Sequence, residues 1–96
     1  MEKMPKKIKL VETVVEKASK NPGKWATVRS YDAHISGNTA TLTHYGTNIA
    51  LVELDTKTYI PQYGYSVSDL DAAYTFASEL NATNPPLRRV DLYRED

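Results

Sequence analysis

The sequence predicts an α+β fold in which an antiparallel meander of three to four strands carries helices on one face. Three observations predict it: two Gly-containing turns that place neighbouring strands in one register, an apolar stripe at helical spacing over 68–81, and a weaker stripe over 8–20. The layers that follow are those of a two-layer sandwich.

The strands are read from their turns. Gly37-Asn38 is taken as a two-residue hairpin loop because Gly accepts the positive φ that right-twisted hairpins need. Tyr31 then lies opposite His44, Ala33 opposite Leu42 and Ile35 opposite Ala40, while Asp32, His34 and Ser36 face Thr43, Thr41 and Thr39. One face is mostly apolar, the other polar. Gly46-Thr47 as the next loop sets Leu42 against Leu51 and His44 against Ile49 on the same apolar face. A slip of one residue would throw that set onto the opposite face. Glu53 opposite Ala40 is the exception, explained by a place near the sheet margin. A third loop at Asp55-Thr56 sets Leu51 against Ile60 and Val52 against Tyr59. Neither loop residue supplies positive φ as cheaply as Gly, so a longer loop competes. The expected strands are roughly 25–36, 39–45, 48–54 and 57–61, with Trp25 in the core or at its margin.

The second expected helix begins where Ser66 or Ser68 can cap exposed amides and where Asp69 and Asp71 meet the positive end of the helix dipole. Leu70, Ala73, Tyr74, Ala77 and Leu80 form its buried stripe, and Asn81 to Pro86 ends it. In the first, Leu10, Val11, Val14, Val15 and Ala18 share a face, and Asn21-Pro22-Gly23 stops it. Three valines and a threonine keep a strand over 7–13 as the competing reading. Residues 1–7 read as a flexible basic arm and 87–96 as a last short strand or a tail.

Ninety-six residues suit a single domain, 1–96. No apolar run has the length of a membrane span and the Lys-rich start lacks a signal peptide's apolar segment, so the expected location is cytoplasmic. With no cysteine, disulfides, thiolate metal sites and cysteine nucleophiles are excluded. Net charge is zero, yet residues 1–30 carry eight Lys or Arg against three acids and the rest four against nine. Such asymmetry marks either a basic arm for nucleic acid or for an acidic membrane surface, or else two halves that attract each other in the fold or are merely solvated.

No catalytic constellation emerges. The expected register puts His34 and His44 on opposite faces, so no joint metal site forms, and no cofactor is implied. Asp32, His34, Ser36, Thr41 and Thr43 share a face as polar residues do on any solvated strand. Recognition signals are stronger. Seven tyrosines include Tyr45, Tyr59, Tyr63 and Tyr65 around the passage from strands to helix, and Tyr offers large contact area at low entropy cost. The register also puts Val52 and Leu54 on the open face beside Tyr59, a strip to be covered by the chain itself, by a second copy in a homodimer, or by another protein.

The run His44-Tyr45-Gly46-Thr47-Asn48-Ile49-Ala50, then Gly64-Tyr65-Ser66 and a helix, resembles a family of small phage- and prophage-encoded domains in which a Tyr-Gly-Thr-x-Ile strand precedes a Tyr-Ser-capped helix. The likeness covers roughly residues 39–80; where that family often has paired threonines after Tyr-Ser, this chain has Val67-Ser68. It implies no enzyme activity and suggests a phage accessory or anti-defence protein, for example an inhibitor of a CRISPR nuclease.

The expectation is thus a non-catalytic protein-binding module acting through Tyr45, Tyr59, Tyr63, Tyr65, Val52 and Leu54. The alternatives are nucleic-acid binding through Lys3, Lys6, Lys7, Lys9, Arg88 and Arg89, and sequestration of a small metabolite or nucleotide.

Overall fold

The computed structural model describes residues 6–62 and 69–86. In chain order these form α1 (Lys6–Lys20), β1 (Trp25–Val28), β2 (Tyr31–Ser36), β3 (Thr39–His44), β4 (Thr47–Glu53), β5 (Thr58–Ile60) and α2 (Leu70–Glu79). The fold is α+β. One antiparallel sheet runs in the order β1-β2-β3-β4-β5, with both helices on one face.

α1 forms despite its valines because the stripe they build has a core to enter. Val11, Val14, Val15 and Ala18 are buried against the sheet and against Ala72, Ala73, Phe76 and Ala77 of α2. α2 ends in a Schellman turn: Asn81 adopts φ 59, its N–H bonds the Ser78 carbonyl, and the Ala82 N–H reaches back to Ala77. The expected serine caps of α2 fall outside the described residues.

The sheet has five strands because the expected first strand is two. Arg29 and Ser30 make a two-residue turn that pairs Val28 with Tyr31 and Trp25 with His34. Arg29 takes φ 59 there, a conformation for which an arginine gives no signal. The Gly37-Asn38 hairpin has the expected register throughout. So does the last hairpin, which pairs Leu51 with Ile60 and Val52 with Tyr59 around a loop over 54–57.

The middle hairpin differs, with consequences for which side chains face outward. Its loop is Tyr45-Gly46, at φ 51 and φ 80, so His44 pairs with Thr47. A shift of two residues would leave every side chain on its expected face. A bulge between Leu42/Thr43 and their partners then adds one residue to β4, so that Ile49 and Ala50 are both buried and Leu42 pairs with Ala50. Beyond the bulge the faces exchange. Val52 is fully buried and Leu54 packs against the core, while Leu51 and Glu53 turn to the open side. Glu53 pairs with Thr39 and not with Ala40, which removes the misfit of an acid on the apolar face.

Candidate functional site

The register assembles one continuous row across the open face: Trp25, His34, Thr41, Leu51 and Ile60, each the cross-strand partner of the next. Neither helix reaches this face, since both pack on the opposite one. Trp25 is 55% exposed and its ring stacks on His34, centroids 4.9 Å apart and planes 17° from parallel. A second row runs beside it. There Asp32 accepts hydrogen bonds from the hydroxyls of Thr27 and Thr43, its cross-strand partners on either side. The face thus combines an indole, an imidazole and two aliphatic side chains with a polar border, the composition of a contact surface.

At the far end of β3 lies a second arrangement. The His44 ring stacks on Tyr31 at 4.3 Å and 9°, and Tyr45 tilts over it at 4.6 Å and 35°. His44 Nδ1 lies 2.7 Å from Asp69 Oδ1, both side chains being largely buried. Asp69 is the N-cap residue of α2 but makes no side-chain cap; its carboxylate goes to the histidine. Burial, then the Asp69 charge, then Tyr45 push the Tyr31 hydroxyl pKa above its usual value. The His44–Asp69 contact and its flanking rings tie a strand end to a helix start.

A third feature is the seam between the helices, with a cleft of about 650 Å³ bordered by Lys9, Glu12, Glu16 and Glu79 and a smaller one of about 230 Å³ bordered by Ile8, Asp71 and Tyr74. Burial, then the neighbouring Glu12, raises the Glu79 carboxyl pKa. Among the described residues no group of three or more His, Asp or Glu side chains is placed to hold a metal ion, and no helix is long and apolar enough to cross a membrane.

Of the residues expected to meet a partner, Tyr45 is 82% exposed, at the β3–β4 turn. Tyr59 and Val52 are in the core and Leu54 is packed against it, because the bulge reverses the faces of β4 and carries β5 with it. These three are corrected: none is on the open face. Tyr63 and Tyr65 lie outside the described residues, as do Lys3, Arg88 and Arg89. Lys6 and Lys7 open α1, and Lys9 is exposed on it beside acidic neighbours. Trp25, expected in the core or at its margin, is instead an exposed aromatic group of the open face. One signal pointed to the true arrangement: the misplaced Glu53.

Comparison with models of known families, with curated proteins and with solved structures finds no significant match to this chain.

Proposed function

We propose that this chain is a non-catalytic protein-binding module whose contact surface is the open face of its sheet. The observation that carries the reading is the row from Trp25 to Ile60, which brings an exposed indole and two aliphatic side chains together on the face turned away from the helices. An aromatic anchor ringed by polar groups is the pattern in which a few side chains supply most of an interface's energy. Tyr45, though exposed, tilts over His44 on the helix side of the sheet and is not part of this row. The likeness of residues 44–50 to small phage-encoded domains makes a host-defence protein, such as a CRISPR nuclease, the first partner class to test.

The test is capture from a bacterial lysate by the immobilised chain, with retained proteins identified by mass spectrometry. Leu51→Asp and Trp25→Ala are expected to abolish retention of a partner that Glu79→Gln, on the opposite side, still retains. Equal retention by all variants would remove the open face from the reading.

A further inference from the structure

The two edges of the sheet are finished differently, and the difference points to how a partner binds. In β5 only Tyr59 presents its backbone outward, and the Asn84 side chain occupies both groups: the Tyr59 N–H donates to Asn84 Oδ1 at 2.8 Å, and Asn84 Nδ2 donates to the Tyr59 carbonyl at 3.0 Å. In β1 the alternation of antiparallel pairing directs the N–H and C=O of Trp25 and Thr27 away from β2. Among the described residues no hydrogen bond reaches these four groups. An uncapped edge is a template for another strand.

The exposed charges that bracket that edge are of one sign. Lys24 and Arg29 bracket β1 and are both exposed, and residues 17–31 contain no acid. Asp32, across from Thr27, is engaged by the Thr27 and Thr43 hydroxyls on the open face. We infer that the outer edge of β1 accepts an extended, acidic segment of a partner protein as a sixth strand, with acids at its ends meeting Lys24 and Arg29 and a side chain between them meeting the Trp25 ring. The inference rests on the protein-binding reading and names the chemistry of the partner. A nucleic acid fits the charge but not the edge, because phosphodiesters offer no donors to the Trp25 and Thr27 carbonyls. A second copy fits the edge but not the charge: antiparallel pairing centred on Ala26 satisfies all four groups yet sets Lys24 of one copy opposite Val28 of the other, one residue from its Arg29, at both ends.

The probe is a capped peptide of alternating Thr and Val with Glu at each end. It is titrated into the full chain while the fluorescence of Trp25, the single tryptophan, is followed and amide hydrogen exchange is mapped. Saturable quenching or enhancement is expected, with new protection at the Trp25 and Thr27 amides. Replacing the terminal Glu by Lys, or Lys24→Glu in the protein, should weaken binding about tenfold. N-methylation of alternate peptide amides should abolish it without touching the protein. Thr27→Pro should do the same while the chain stays folded, since an edge strand tolerates Pro where the N–H faces solvent.

Equal binding of the acidic and basic peptides, or no binding, overturns the inference. Protection at Leu51 and Ile60 with the β1 amides unprotected overturns it too, and leaves the open face as the contact surface. Protection at Trp25 and Thr27 that appears without peptide as the chain is concentrated makes a second copy the occupant and likewise overturns it.

Discussion

Asn84 closes the outer edge of β5 by exchanging two hydrogen bonds with the backbone of Tyr59, a residue 25 positions away in sequence. The segment that delivers it is anchored on both sides. The Schellman turn redirects the chain at Asn81, and Thr83 bonds the Lys57 carbonyl through its N–H and its hydroxyl. The end of the helical layer is thereby stitched to the end of the sheet. Asn84→Ala should cost about 1–3 kcal/mol, the range for leaving partly buried partners unpaired, read as a lower urea midpoint with an unchanged denaturant slope. The same variant exposes a second uncapped edge, so it should also aggregate more readily on heating.

The contact between His44 and Asp69 gives a second test. Asp69→Ala removes the only described partner of His44 Nδ1 in a largely buried site, and about 1–3 kcal/mol of stability should go with it. His44→Ala should lose the stacking on Tyr31 as well. A double-mutant cycle isolates the pair, and a coupling indistinguishable from zero would show that the two groups do not support each other.

Turn geometry makes a prediction of opposite sign. Arg29 stands in the left-handed region at the first position of its two-residue turn, where glycine is the residue of choice. Arg29→Gly should therefore stabilise the chain by about 1 kcal/mol, and Arg29→Val should destabilise it, β-branched side chains being the least tolerant of positive φ. Chemical denaturation of the two variants checks both signs.

Adjacent residues of β4 test the bulge directly. Val52→Ala should cost about 2 kcal/mol because it hollows a fully buried site, whereas Leu51→Ala, on the open face, should stay within about 1 kcal/mol. The regular register would reverse that order.

The acidic seam predicts a pH dependence. Burial and then Glu12 raise the Glu79 pKa in the folded chain, so the folded state binds more protons than the unfolded one in the window just above the ordinary carboxylate range. Stability on this account falls as pH rises through that window. Glu79→Gln should raise the thermal midpoint slightly at neutral pH and leave it unchanged at pH values below the unfolded carboxylate pKa, an effect kept small by solvent screening of a largely exposed side chain.

Much of this fold is legible along the chain. Gly37 announces its hairpin, the pairing of Leu51 with Ile60 follows from a turn centred on Asp55-Thr56, and the stripe of α1 is regular enough to read. The α2 stripe is turned from the expected one: Ala73 and Ala77 are buried as expected, but Ala72, Thr75 and Phe76 join them while Leu70 and Tyr74 are only partly buried. The rest is hidden for identifiable reasons. Arg29 and Tyr45 adopt positive φ under tertiary compulsion that their side chains do not advertise. The bulge at Ile49 adds an apolar residue to an apolar run, so alternation shows no break, and only the misfit of Glu53 betrays it. The meeting of His44 with Asp69 joins positions far apart in sequence, which no local pattern encodes.

The surplus residue in β4 has an evolutionary corollary. Length changes ordinarily settle in loops because a deletion inside a strand turns its remainder inside out. Excising Ile49 would do the reverse: Asn48 would still meet Thr43 and Ala50 would still meet Leu42, now on an unbroken ladder. Descendants of this chain can therefore shorten in the middle of their sheet at the cost of one buried aliphatic group, while every outward side chain keeps its station.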